Sequence, residues 1–270
     1  MPELPEVETT LRGISPHVLG RRISGVIVRQ SSLRWPIPNE LTSVLLRRQL
    51  LDIHRRGKYL LFKFTHGHML IHLGMSGSLR VVSPEEPVKK HDHVDIIFSD
   101  VCLRYHDPRR FGAVLWTGDD IESHKLLAHL GPEPLTDDFS SEYLFRQSRK
   151  RTKDIKAFIM DSHVVVGVGN IYANEALFSA GIRPSKAAGK VTAKQYTMLV
   201  DEIKTVLKRS IAQGGTTLKD FVGGDGKPGY FVQQLNVYGR KGQPCVTCAK
   251  PLKEIRQSQR SSVYCTQCQK

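Results

Sequence analysis

The sequence predicts an α+β protein of more than one domain: an N-terminal antiparallel β-sandwich with flanking helices, then a helical domain, then a zinc ribbon finger. Three observations carry this. Short alternating or apolar runs, separated by turn residues, recur between positions 25 and 117. Beyond Gly131-Pro132-Glu133-Pro134, a segment of linker composition, the apolar period becomes helical. Near the C-terminus stands Cys245-x2-Cys248-x16-Cys265-x2-Cys268, the spacing of two thiolate knuckles brought together by a hairpin.

Taken in order, Leu4, Val7, Leu11 and Ile14 recur at three or four residues, which predicts an amphipathic helix ending near Gly13 to Pro16. It places Glu3 and Glu6 on one face. Strands are expected at 25–30, 59–64, 69–73, 94–98, 102–105 and 113–117, with helices at 40–50 and 121–130. Helices follow at 141–160, 170–180 and 192–213. Asn170 reads as the N-cap of its helix. Residues 214–229 hold six glycines, read equally well as a mobile loop folding over a bound base or as a linker. The expected boundaries are 1–131, 132–234 and 235–270.

The 270 residues carry 40 Lys+Arg against 26 Asp+Glu, a formal charge of +14. That favours a polyanionic partner, nucleic acid ahead of membrane. No run of 18 apolar residues and no signal peptide is visible. Six basic residues and one acid lie between Arg146 and Lys156, and eight basic residues with only Glu254 between Lys227 and Lys270. Two such runs suit a phosphate track. The cysteine quartet is read as zinc thiolates, implying a reducing compartment. Cys102, on an alternating strand, is read as a core residue.

The opening Met1-Pro2-Glu3-Leu4-Pro5-Glu6-Val7-Glu8 is the most informative stretch for chemistry. A small second residue favours removal of Met1, which leaves Pro2 as a secondary amine. A terminal amine is roughly 10–15% neutral at pH 7, against about 0.04% for an ordinary lysine. Added to a sugar carbon it forms an iminium that drains electrons from its neighbour. The plain alternative is an ordinary helix start, since Pro and Glu both suit a first turn. Gly57-Lys58-Tyr59 offers a lysine at a strand start, equally an edge lysine. Met75, Arg109 and Phe111, on turns, are core and surface residues or a wedge into a duplex. His91, beside Lys89 and Lys90, reads as a phosphate contact rather than part of a second metal site. The segment 168–176 offers a helix start for phosphate or a plain cap.

These pieces together resemble the bacterial formamidopyrimidine-DNA glycosylases, also called 8-oxoguanine-DNA glycosylase/AP lyases. The motifs run in order: Pro2-Glu3-Leu4-Pro5-Glu6, Arg56-Gly57-Lys58-Tyr59-Leu60, His72-Leu73-Gly74-Met75-Ser76-Gly77, Asp107-Pro108-Arg109-Arg110-Phe111-Gly112, Val166-Gly167-Val168-Gly169-Asn170-Ile171-Tyr172 and Gly214-Gly215-Thr216-Thr217-Leu218-Lys219-Asp220-Phe221. The resemblance implies a helix–two-turn–helix element in the second domain. It implies excision of oxidised purines from double-stranded DNA, then β- and δ-elimination at the abasic site. On that resemblance Pro2 is the nucleophile, Glu3 the general acid/base, Lys58 the β-elimination donor and Arg260 the δ-elimination donor. Met75, Arg109 and Phe111 match its void-filling wedge. His91, Arg109, Arg151 and Asn170 match its DNA contacts, with Arg151 where many relatives carry Lys. One structural zinc on Cys245, Cys248, Cys265 and Cys268 would hold the hairpin bearing Arg260.

Glu3, near Glu6 and covered by DNA, is expected to have a raised pKa. Glu175 is expected to brace the terminal amine or a sugar hydroxyl. A cytoplasmic monomer, associated with the nucleoid through DNA and with no membrane partner, completes the expectation. The related endonuclease VIII class tends to begin Pro-Glu-Gly-Pro where this chain has Leu4. A non-catalytic zinc-ribbon DNA binder is the remaining alternative.

Overall fold

The computed structural model describes residues 2–118, 120–216 and 234–270. The chain divides into two compact units, Met1–Ala128 with Gln213–Val232 and His129–Ala212 with Gln233–Lys270.

The first unit is a sandwich of two four-stranded antiparallel sheets. One has the order β1 (Gly25–Val28), β6 (Asp92–Phe98), β7 (Val101–His106), β5 (Ser78–Val82). The other has the order β2 (Asp52–Arg56), β3 (Tyr59–Phe64), β4 (Gly67–His72), β8 (Ala113–Thr117). On β3 the alternation puts Leu60, Phe62 and Phe64 into the core, while Lys63 faces water. Leu79, Val94, Ile96, Phe98 and Leu103 meet them from the other sheet. Each such side chain contributes roughly 1.5–3 kcal/mol of burial energy. Helix α1 (Leu4–Val18) adds Val7, Ile14 and Val18 to that core and packs against strands of both sheets.

Two strands escape the sequence reading, β2 and β5. Both are edge strands, and their polar members, His54, Arg55, Arg56 and Arg80, blur the alternation. Helix α1 runs through Pro16 to Val18. A proline so near the C-terminus removes a single backbone bond in the last turn. The helix expected at 40–50 is only α2 (Leu41–Leu45). Residue Arg47 then adopts a φ of 64° and the chain turns extended. The helix expected at 121–130 reduces to a 3-10 turn at Ile121–Ser123, whose Glu122 N–H is capped by the Asp120 carboxylate.

In the second unit the helix expected at 141–160 is two, α3 (Ser141–Ser148) and α4 (Ile155–Ile159), broken where Lys150 takes a φ of 63°. Helix α5 (Asn170–Ser179) is buried on nearly every side, as a central helix should be. Helix α6 (Ala193–Ala212) packs against α3 and α5. Strands β9 (Lys253–Gln257) and β10 (Arg260–Tyr264) form the hairpin of the ribbon, and β10 lies on α5. Among the described residues no helix is long and apolar enough to cross a membrane.

Candidate active site

Pro2 and Glu3 are buried at the start of α1. Glu3 is the N-cap, and it forms a reciprocal capping box with Glu6. The Glu3 N–H donates to Glu6 Oε2 at 2.8 Å. Glu6, fully buried, accepts on its other oxygen from the N–H and the hydroxyl of Thr216, at 2.9 and 2.8 Å. A single carboxylate thus ties the start of α1 to the residue from which the glycine-rich segment departs. Residues 217–233, which hold most of the segment expected to be either a loop over a bound base or a linker, lie outside the described residues.

Lys58 occupies the second position of the two-residue turn between β2 and β3. Gly57 before it has a φ of 57°, the first-position glycine of a hairpin turn. Arg55 fixes this turn. Its guanidinium donates to Glu8 Oε2 on α1 at 3.0 Å and to the Gly57 carbonyl at 3.0 Å. The lysine's charge is felt at His72, whose ring lies 4.8 Å from that of Tyr59. Burial, then the Lys58 and Arg34 charges, pull the His72 pKa down to about 4 against the opposing pull of Asp107. The imidazole is therefore neutral, and its Nδ1 accepts from the Gly74 N–H at 3.0 Å.

Met75 and Phe111 are 40% and 45% exposed, two apolar side chains left in water on turns whose backbones touch. Met75 sits on the turn after β4, Phe111 on the turn before β8. The Arg109 guanidinium stacks 4.8 Å from the Phe111 ring centre. His91 has a φ of 76°, and its ring packs edge-on to His93 and His106, each 6.1 Å away. Its carbonyl accepts from the Asp107 N–H at 3.1 Å. The buried Asp92 accepts from His106 Nδ1, from Arg80 and from the Lys89 N–H, so the strand below His91 is pinned by charge. Among the described residues the one cluster fit for a metal is the cysteine quartet, not these histidines.

In the second unit, Arg260 opens β10 at the tip of the ribbon hairpin and is exposed. With Lys153, Lys156 and Gln257 it lines a cavity of about 250 Å³. Two buried groups hold this hairpin. Lys156 on α4 donates to the Ser261 carbonyl at 2.6 Å and the Ser262 hydroxyl at 2.7 Å. Asn174 on α5 accepts from the Val263 N–H at 2.8 Å and donates to the Asn170 carbonyl at 2.6 Å. Asn170 is the first helical residue, and Gly169 takes the cap position expected for it, because Gly169 carries the extended backbone of a cap. Arg151 is exposed in a basic stretch with Arg146, Arg149 and Lys150.

Glu175 was expected to brace the terminal amine or a sugar hydroxyl, but its carboxylate is engaged close at hand, accepting from the N–H groups of Asn236, Val237 and Tyr238 at 2.7, 3.0 and 2.8 Å, on the turn that leads into the ribbon. Sequence spacing held no sign of this, nor of Arg55, Asn174 or Asp107 as fasteners, since each partner is remote in the chain or is backbone.

The four cysteine sulfurs lie within 4.8 Å of one another. Cys245 and Cys268 are 3.9 Å apart, Cys248 and Cys265 3.4 Å. A tetrahedron with zinc–sulfur bonds of about 2.3 Å has edges of about 3.8 Å, so the donor set fits one zinc and leaves no open position.

Three family models match successive parts of the chain. Residues 1–114 match the formamidopyrimidine-DNA glycosylase N-terminal domain, 130–222 its H2TH domain, and 242–270 the zinc finger found in FPG and IleRS. The formamidopyrimidine-DNA glycosylase of Saccharophagus degradans is 64% identical over 271 residues, all of both chains, and that of Cellvibrio japonicus 63% over 269, again all of both. The crystal structure of MutM (Fpg) from Thermus thermophilus superposes with a TM-score of 0.90 at 35% identity, over 99% of this chain and 98% of that one. Lactococcus lactis Fpg in complex with abasic-site DNA gives 0.93 at 31%, over 99% of each.

Proposed function

The chain belongs to the formamidopyrimidine-DNA glycosylase family, and from that premise we propose that it excises oxidised purines from duplex DNA through a covalent Pro2 intermediate and then cleaves the strand. The observation that carries this reading is the buried Pro2-Glu3 pair, held in a capping box by Glu6 at the head of α1. An ordinary helix start has no need to bury its cap and the residue before it.

With Met1 removed, the Pro2 nitrogen attacks C1′ of the damaged nucleoside, and the bond to the base breaks. Glu3, the adjacent carboxyl, exchanges protons with the sugar and the leaving group. The C1′–O4′ bond then opens, with a proton from Glu3 to O4′, and the iminium so formed acidifies the hydrogens at C2′. Loss of one of these expels the 3′ phosphate, with Lys58 as the proton donor of that β-elimination. A second elimination expels the 5′ phosphate, with Arg260 as donor. Water regenerates the amine. Met75, Arg109 and Phe111 fill the place of the extruded nucleotide, and His91, Arg109, Arg151 and Asn170 contact the DNA. Bound zinc supplies structure alone, by holding the hairpin that bears Arg260. The 1–131, 132–234 and 235–270 boundaries serve as the working domains, and the enzyme acts as a monomer.

Borohydride reduction on an 8-oxoguanine duplex should trap a protein–DNA adduct whose mass maps to residue 2. Active protein that retains Met1, or a Pro2→Gly variant trapped equally well through an internal lysine, would refute the assignment.

A further inference from the structure

We propose that Asp107 is a positioning residue that bolts the Met75 turn to the Arg109–Phe111 turn, so that the three side chains enter the duplex as one rigid body. The inference rests on the wedge reading given above. Asp107 is fully buried and belongs to neither turn tip. Its Oδ1 accepts from the Ser76 hydroxyl at 2.8 Å, and its Oδ2 from the Gly112 N–H at 2.8 Å. The Tyr105 hydroxyl lies 3.3 Å from Oδ2 and 3.2 Å from the His72 carbonyl. Ser76 in turn accepts from the Arg109 N–H at 3.3 Å.

The backbone of Asp107 is occupied as well. Its carbonyl accepts from the Arg110 N–H at 3.2 Å and lies 2.8 Å from His93 Nε2, and its N–H donates to the His91 carbonyl. One residue therefore reaches the Met75 turn, the Phe111 turn and the His91 turn.

The two wedge turns touch backbone to backbone. A Cβ on Gly74 would sit 2.4 Å from the Gly112 nitrogen and 2.5 Å from the Phe111 carbonyl carbon, and one on Gly112 would sit 1.8 Å from the Tyr105 hydroxyl. So close an approach leaves no slack, and the Asp107 carboxylate fixes the register of the two turns. Asp107→Asn keeps the shape but cannot accept equally on both arms. A buried N–H left without its acceptor is costly, and displacement of about 1 Å at a site can cost about a hundredfold in rate.

The test compares two rates for each variant. One is single-turnover excision from a duplex holding 8-oxoguanine opposite cytosine. The other is strand cleavage of a single-stranded abasic oligonucleotide, where there is no void to fill. Asp107→Asn should lower the first at least about tenfold and leave the second within about twofold. Ser76→Ala should act in the same direction, more weakly, and it keeps the test available if Asp107→Asn folds poorly. In a double-mutant cycle with Phe111→Ala the Asp107 effect should largely vanish, because the wedge it positions is already lost. Equal loss on both substrates, or additivity with Phe111→Ala, overturns the inference while the wedge reading stands. If Met75→Ala and Phe111→Ala leave the ratio of the two rates unchanged, the wedge reading itself fails and the inference with it.

Discussion

The sandwich and the zinc ribbon each present a cation proposed for catalysis, and they do so in opposite ways. Lys58 stands on a hairpin turn backed by a continuous apolar core reaching from α1 through both sheets. Arg260 stands on a hairpin whose local apolar cluster is small, Phe178, Val237, Leu252 and Val263 around the buried cysteines Cys245 and Cys265. In the first case hydrophobic burial orders the strands, and Arg55, bonded to Glu8 and the Gly57 carbonyl, fixes the turn. In the second the hairpin has too little apolar surface to order itself, and metal ligation replaces the missing core. The lesson is that Lys58 and Arg260, the donors proposed for the two eliminations, should fail under different insults.

The largest expected effect sharpens this contrast. Structural zinc sites are worth about 10–16 kcal/mol in isolated fingers. Cys248→Ser, or a strong chelator, should expose the β9–β10 amides to hydrogen exchange and abolish δ-elimination. The β3–β4 amides should keep their protection. Loss of protection in both regions at once would show that the two do not stand independently. The mirror experiment attacks the sandwich. Arg104, 1% exposed, spans Asp95 with two bonds of 2.9 and 3.0 Å and also donates to the Glu86 carbonyl. Burial works against ionisation of Asp95, but Arg29 and Arg104 together hold its carboxyl below the usual range. Arg104→Ala leaves that carboxylate half-paired in the interior and should cost about 3–5 kcal/mol. Thermal denaturation should report the loss while zinc content stays unchanged.

The contrast also explains what was legible in the sequence. The ribbon was fully readable, because thiolate spacing is local and few folds share it. Strands β3, β4, β6, β7 and β8 were readable because two-fold alternation marks a core face. Strands β2 and β5 were not, because Arg55, Arg56 and Arg80 interrupt the apolar pattern; an edge position alone hides nothing, since the edge strands β1 and β8 were read. Helix breaks at Lys150 and Arg47 depend on left-handed φ at residues that carry no turn signature. The residues proposed to carry chemistry stood out by motif, yet their fasteners did not. Glu6 meets Thr216 across 210 positions, and Lys156 meets Ser262 across 106. Periodicity cannot reveal contacts of that range.

Acid should separate the regions by a smaller margin. His72 titrates near 4 in the folded sandwich, against about 6.5 when unfolded. The unfolded chain then binds more protons between those values. The group's contribution is complete above pH 6.5, is lost as pH falls toward 4, and changes no further below that. The span corresponds to about 3 kcal/mol. Denaturant midpoints followed through the sandwich should fall over this range, and His72→Asn should flatten the slope. An unchanged slope would mean that another group governs acid stability there.

The smallest effect falls on the link into the ribbon and tests whether zinc alone organises it. Burial pushes the Glu175 carboxyl up, against three backbone N–H donors that favour its charge. Those donors belong to Asn236, Val237 and Tyr238, ahead of the first knuckle. Glu175→Gln keeps one acceptor oxygen and brings an amide toward N–H groups that need none. A cost of about 1–3 kcal/mol is expected, confined to this stretch, so exchange at residues 236–238 should quicken by about ten- to a hundredfold. Zinc should remain bound, since no cysteine bonds to Glu175. If zinc affinity falls in step with protection, the carboxylate is part of what shapes the metal site, and the ribbon is held by the helical layer as much as by its own thiolates.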